Sequence, residues 1–263
     1  MTWVVGTPTI FGYAILVSDI RVTFTATDGR RRYFDCLQKI HPVSKSMLAG
    51  FAGSVKIGFR MLAQLQYESA KVPPDADWVL DIIANTWWPR LARRIFERSE
   101  AGETNLGSQI ILAAAHPGKN MGDTTPQTNV YSFSSPNFEP IKASYRQILS
   151  IGSPDKRYTD ALNRLVSDFT FMQASMAGEF GPGSMLAHAL KQEMSEAPLP
   201  GISSLFQVGT ASRAKFTINN FIEARVAASG ESEEDSFPRL ASNYNEFIQI
   251  CEINGFGIEA SLC

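Results

Sequence analysis

Thr2, directly after Met1, is the residue whose type and position could do chemistry. A threonine hydroxyl is a weak nucleophile near neutral pH and needs a base within hydrogen-bond reach. At a mature N-terminus the residue's own α-amine can be that base. Such an amine titrates near ~8, close to where general-base catalysis is efficient. Threonine is small enough for methionine aminopeptidase to remove Met1, so exposure of Thr2 is expected to need the loss of one residue. With Met1 attached the Thr2 nitrogen is an amide and no base. A small second residue is common, so the weight of Thr2 comes from the charged residues and glycines further along the chain.

Asp19 and Lys39 are a carboxylate and an amine that could support Thr2 if the fold brings them beside it. A lysine ammonium there would disfavour protonation of the α-amine by like-charge repulsion and keep more of it available as base. Asp19 would hold that lysine charged and in place, although the same two residue types also form ordinary strand-to-strand ion pairs. Gly53 ends the apolar run Met47-Leu48-Ala49-Gly50-Phe51-Ala52 and precedes a helical pattern. An N–H at such a strand-to-helix junction can donate to an oxyanion, and the missing side chain admits a substrate backbone; the alternative is a plain tight turn.

In order, the chain reads Thr2-Trp3-Val4-Val5-Gly6, Ser18-Asp19-Ile20-Arg21, Lys39-Ile40 and Gly50-Phe51-Ala52-Gly53. This order resembles the proteasome β-subunit family of N-terminal-nucleophile hydrolases and its bacterial two-ring relatives. The interval from Lys39 to Gly53 equals the family's, and that from Thr2 to Asp19 is longer by a residue. A longer interval between Asp19 and Lys39 fits a hairpin tip at Asp28-Gly29-Arg30-Arg31-Arg32, whose basic cluster is read as a solvated tip. The resemblance implies Thr2 as nucleophile, Asp19 and Lys39 as its charged support, and Gly53 as the oxyanion donor. It sets Arg21, Thr23, Phe51 and Val55 on the substrate side, with an extended peptide adding between the strands of Thr23 and Gly53. Phe51, flanked by Leu37 and His41, would make a restricted pocket of apolar preference.

Further along, Ile151-Gly152-Ser153 looks like the family's segment before its third helix, with Pro154 in place of a second glycine. Ser153 matches the serine that supports proton shuttling near the terminal amine, and it would equally serve as a helix N-cap. The family's later Asp-x-x-Ser has only Gly209-Thr210-Ala211-Ser212 to match it, with the serine but without the aspartate.

Composition bounds the alternatives. The 263 residues carry a formal charge of −2, which supplies no global field for nucleic acid. Three widely spaced cysteines without a Cys-x-x-Cys indicate neither a disulfide framework nor a zinc site, and the histidines lack metal spacing. No apolar run reaches the ~18 residues of a membrane helix, and the N-terminus lacks a secretory signal pattern. The expectation is a cytoplasmic protein with no metal, no cofactor, no nucleic-acid partner and no membrane.

The elements that must position these residues are read from periodicity. Strands are expected at Val4-Val5 and Tyr13 to Val17, joined by a turn at Gly6-Thr7-Pro8-Thr9. Arg21 to Thr25 and Tyr33 to His41 should come next as strands. A helix is expected over Ser54 to Ala70, and a second from Pro74 towards Glu100, kinked at Pro89. Gly107 to Ala115 and Thr128 to Phe133 read as strands, Tyr158 to Met176 and Gly183 to Glu196 as helices, and Ile202 to Val208 and Lys215 to Ile218 as closing strands. Phe247 to Ile253 alternates like a strand. The resemblance implies an α+β fold, a four-layer α-β-β-α sandwich of two antiparallel sheets flanked by helices. Residues 1–220 form that domain, with 221–263 as a C-terminal extension packed on it or on a neighbouring subunit.

The function so implied is a self-compartmentalising threonine peptidase. It would be a homo-oligomeric double ring that cleaves peptides or unfolded polypeptide and is either fed by a separate ATPase unfoldase or loaded with chains already unfolded. Two other classes stay open: a catalytically degenerate ring or scaffold of the same fold, and an amidohydrolase for a small amide, since a catalytic arrangement does not fix its substrate.

Overall fold

The computed structural model describes residues 3–25, 30–72, 79–116, 127–153, 156–178, 181–199, 201–212, 215–221, 225–226, 232–233, 237–255 and 261–262. Six strands come first: β1 (Trp3–Pro8), β2 (Ala14–Asp19), β3 (Arg21–Thr25), β4 (Arg31–Asp35), β5 (Ile40–Ser44) and β6 (Met47–Gly53). Helices α1 (Val55–Ala70), α2 (Leu80–Asn85), α3 (Trp88–Glu97) and α4 (Ala101–Asn105) come next. Strands β7 (Ser108–His116), β8 (Gln127–Ser134), β9 (Ile141–Lys142) and β10 (Leu149–Gly152) precede helices α5 (Lys156–Ser167), α6 (Phe169–Ala177) and α7 (Gly181–Glu196). Then come β11 (Phe206–Ala211), β12 (Phe216–Phe221), the short β13 (Arg225–Val226) and β14 (Ser232–Glu233), α8 (Tyr244–Ile253) and β15 (Ser261–Leu262).

The chain is thus a mixed α+β structure with two five-stranded antiparallel sheets and, among the described residues, eight helices. One sheet runs β10-β1-β2-β11-β12 and the other β5-β6-β7-β8-β9; β15-β3-β4 forms a third, smaller one. The central strands are buried on both faces, and their alternate residues enter different clusters. Val4, Ala14 and Leu16 of the first sheet pack with Leu48, Ile111 and Val130 of the second. Their neighbours Val5, Ile15 and Val17 pack instead with Tyr158, Leu162, Leu186 and Leu190 of α5 and α7. In the second sheet, Met47, Phe51, Ile110 and Leu112 pack with residues of α1, α2, α3 and α8. Gly6 lets side chains come close, because a Cβ there would meet Leu16 Cδ2 at 2.7 Å and Ile111 Cδ1 at 2.9 Å.

Helix boundaries are set by the capping residues. Ser54 Oγ accepts from Ile57 N at 3.1 Å and starts α1 where expected. The expected single helix across Pro89 is two, because Pro89 sits at the first turn of α3, where its missing N–H costs nothing; residues 73–78 lie outside the described residues. The expected helix from Tyr158 to Met176 is also two, since Asp168 accepts from Thr170 N at 2.7 Å and opens α6. Gly6 to Pro8 continue β1, and the turn falls later, where Thr9 N donates to Tyr13 O at 2.8 Å.

Two further expectations are corrected. Tyr33 to His41 is not one strand: β4 pairs with β3 and β5 with β6, and between them Cys36 N and Leu37 N both donate to Ile20 O. Phe247 to Ile253 is helical, not extended. Its apolar positions fit both periods, and the end signals decide: Asn243 Oδ1 accepts from Glu246 N, and Glu246 Oε2 accepts from Ser242 N. Phe247, Ile250 and Cys251 then bury one side against the core. The C-terminal region packs on its own chain, with Leu262 opposite Phe24 and Ala241 bonded to Cys36 and Gln38. Among the described residues no helix is long and apolar enough to cross a membrane.

Candidate functional site

The site is built where β1 begins and β2 ends. Antiparallel pairing puts Val4 opposite Ser18, so the start of one strand meets the end of the other. At that corner Asp19 Oδ1 accepts from Trp3 N at 2.8 Å and from Lys39 Nζ at 2.7 Å, while Oδ2 accepts from Arg21 N at 3.0 Å. The side chains of Asp19 and Lys39 are fully buried. Lys39 Nζ also donates to Arg21 O at 2.7 Å. Among the described residues these two oxygens are its acceptors, against the three hydrogens of an ammonium. Burial lowers the Lys39 pKa from its ordinary value, and the charge and hydrogen bond of Asp19 work in the opposite sense.

Thr2 lies outside the described residues; the nitrogen to which it is peptide-bonded is that of Trp3. Trp3 itself is fixed by Nε1 donating to Ser150 Oγ at 2.5 Å and by its ring against Tyr158 at 5.5 Å. Gly152 is its register partner on β10, so Ser153 comes after Gly152 as Thr2 comes before Trp3. Gly152 N is held by Gln109 Oε1 at 2.6 Å, and Ser153 is exposed.

Gly53 ends β6 at φ +87°, a region that disfavours any side chain, and a Cβ there would lie 2.5 Å from Gly107 O. Ser54 N donates to that same oxygen at 2.9 Å. Thr23, Gly53 and Ser153 border one cleft of 490 Å³, together with Arg31, Ser108 and Gln109. Three residues singled out in the sequence for different roles therefore share one space.

The other substrate-side residues are not lining residues of this cleft. Arg21 makes a two-pronged ion pair with Asp35, at 2.7 and 3.0 Å, and donates to Ile202 O, which holds its guanidinium charged. Phe51 is buried with Gly58 against its ring, with His41 stacked beside it at 5.9 Å and Phe59 tilted against it at 5.1 Å. Leu37 and His41 are buried too, so the expected apolar pocket at Phe51 is filled by the protein's own core. Burial pushes His41 down to about 4, and its Nε2 lies 2.8 Å from Gln38 O. Val55 opens α1 and is buried. Ser212 lies at the wrong end of the sheet. It comes after Ala211, which pairs with Ala14, whereas Phe206 pairs with Asp19, so six residue steps along the strand, ~20 Å, separate it from the site.

The structure adds residues that the sequence did not single out. Asp35 receives Arg21 and, at 2.9 Å, Ser203 Oγ, tying the segment before β11 to β4. Gln207 Oε1 accepts from Lys39 N at 3.4 Å. The signal for Gln207 in the sequence was an amide within a run otherwise apolar or small; Asp35 and Ser203 carried none.

Among the described residues no group of three or more His, Cys, Asp or Glu side chains is placed to hold a metal. Cys36 and Cys251 are buried free thiols, pushed by desolvation to about 12 and about 11, which makes them poor nucleophiles. No model of a known protein family matches the chain, and no curated protein matches it.

Proposed function

We propose that this chain is a threonine peptidase of the N-terminal-nucleophile class, with Thr2 as nucleophile once Met1 is removed. One observation carries the proposal: a single carboxylate oxygen, Asp19 Oδ1, accepts from both the Trp3 amide and the buried Lys39 ammonium. The residue peptide-bonded to that amide is thereby linked through one carboxylate to a cation whose charge Asp19 favours against the cost of burial. A cation there depresses the pKa of a neighbouring α-amine and keeps it basic. Thr2 Oγ attacks the substrate carbonyl and its α-amine takes the proton. The Gly53 N–H steadies the oxyanion, the C–N bond breaks as the α-ammonium returns the proton to the leaving amine, and water then hydrolyses the acyl ester to release the acid and free Thr2.

The fold in this proposal is the four-layer α-β-β-α arrangement. Its support is the partition of alternate strand residues between a shared cluster and two helix-facing clusters. Substrate is polypeptide, laid extended between Thr23 and Gly53 on the border of the polar cleft. The assembly is a cytoplasmic homo-oligomeric double ring served by an ATPase unfoldase, a component that rests on the resemblance of the motifs alone.

Hydrolysis of fluorogenic peptides by the protein with Met1 verified absent, lost in Thr2→Ala and kept in part in Thr2→Ser, is the expected result. Inertness of that processed protein would favour a scaffold of the same fold.

A further inference from the structure

The cleft beside Gly53 has a charge asymmetry that the overall composition hides. The chain as a whole is slightly acidic, at −2. Among the described lining residues the only charged side chain is Arg31, and the remainder are glycines, hydroxyls, amides and Leu106. Arg31 begins β4, is exposed, and pairs in register with Thr25, so it lies on the same face of the β3–β4 hairpin as Thr23. Residues directly opposite and two apart on one face of a sheet are near enough for a long side chain to span. Among the described residues no acidic group forms an ion pair with Arg31, in contrast to Arg21 ten positions earlier, which Asp35 holds at 2.7 Å.

We infer that Arg31 makes this cleft select peptides that carry a carboxylate, which Arg31 pairs with as they enter it. The inference rests on the peptide-binding part of the proposed function, and it does not need Thr2 to be active. β3 is paired on both edges at Thr25, by Arg31 and Ser261, so the peptide engages the cleft at Thr23, on the face where Arg31 stands. A guanidinium offers a planar fork to a carboxylate, with a geometry that lysine lacks. The carboxylate has two sources, an internal glutamate or aspartate and the peptide's C-terminus.

The test is fluorescence anisotropy with the full chain carrying Thr2→Ala, which removes turnover. The probes are labelled decapeptides of one backbone sequence: internal glutamates with an amidated C-terminus, glutamines with a free C-terminus, glutamines with an amidated C-terminus, and lysines with an amidated C-terminus. One or both carboxylate-bearing peptides should bind about five-fold tighter than the neutral amidated one, as for a single partly exposed ion pair, and half a molar salt should remove the difference. Whichever carries the gain identifies the source. Arg31→Gln should abolish the preference with no effect on the neutral peptide, and Arg31→Glu should turn it towards the lysine peptide. Arg31 is exposed, so neither change threatens the fold, and unchanged circular dichroism will show it. Equal binding of all four peptides, no binding of any, or a preference untouched by Arg31→Gln, overturns the inference. Epoxyketone labelling of the chain with Thr2 intact reports separately on the peptidase chemistry, so either can fail without the other.

Discussion

Replacing Lys39 by methionine tests whether the buried corner is held by charge. Lys39 and Asp19 are both fully buried at 2.7 Å, and after Lys39→Met the Asp19 carboxylate keeps, among the described residues, only the backbone N–H groups of Trp3 and Arg21. Removing one partner of a buried pair costs about 3–5 kcal/mol, because the other charge stays desolvated without its counter-ion. Methionine nearly conserves the length and volume of the lysine stem, so cavity formation adds little. Pairing Lys39→Met with Asp19→Asn removes both charges and should cost less than the sum of the single changes by about 2 kcal/mol, within the range seen for residues in one network. The measurement is equilibrium urea unfolding of all four proteins at one fixed protein concentration, because any assembly makes apparent stability concentration-dependent. A Lys39→Met protein within about 1 kcal/mol of the parent, or strictly additive effects, would refute the electrostatic reasoning.

Single sites supply the other predictions. His41 titrates near 4 in the folded protein against about 6.5 unfolded, so the unfolded chain takes up its proton first as pH falls. Its contribution is complete above about 6.5 and is lost as pH falls towards 4, about 3 kcal/mol in all. His41→Phe should flatten that part of the stability profile measured by urea unfolding; an unchanged slope would contradict it. Gly53→Ala places a methyl 2.5 Å from Gly107 O at positive φ, and should lower stability by at least about 1 kcal/mol and slow peptide cleavage, measured as kcat/KM. Gly58→Ala should destabilise, although glycine to alanine inside a helix ordinarily gains about 1 kcal/mol, because the new Cβ would lie 2.3 Å from the Phe51 ring. Phe51→Leu should relieve part of that loss in thermal unfolding.

Much of the fold was legible because the strongest signals were local. The apolar run of β6, the Ser54 cap and the long period of α1 agree at every level, so the strand-to-helix junction at Gly53 could be read directly. Phe247 to Ile253 was not legible from periodicity, since seven residues with apolar positions at 247, 248, 250, 251 and 253 satisfy a strand and a helix alike. The end signals at Ser242 and Asn243 were the better guide. At the site, the Asp19–Lys39 contact could be anticipated from the resemblance of their segments together with charge complementarity, although the β3–β4 hairpin lies between them. The enclosure of Phe51 could not, because it depends on Gly58 of the next helix giving room for its ring. The place of Arg31 on the cleft was hidden for a similar reason: three consecutive arginines beside Asp28-Gly29 read as a solvated tip, and the register with Thr25 brings one of them to the cleft.

The most direct measurement is the mass shift at residue 2 after incubation with a peptide epoxyketone, which needs both a hydroxyl and a free amine on the same residue. Protein with Met1 shown to be absent should gain one inhibitor mass, mapped to Thr2 by peptide sequencing, and Thr2→Ala and Lys39→Met should gain little or none. A processed protein that stays unmodified under conditions that fully label a known threonine peptidase would contradict the assignment of Thr2 as nucleophile.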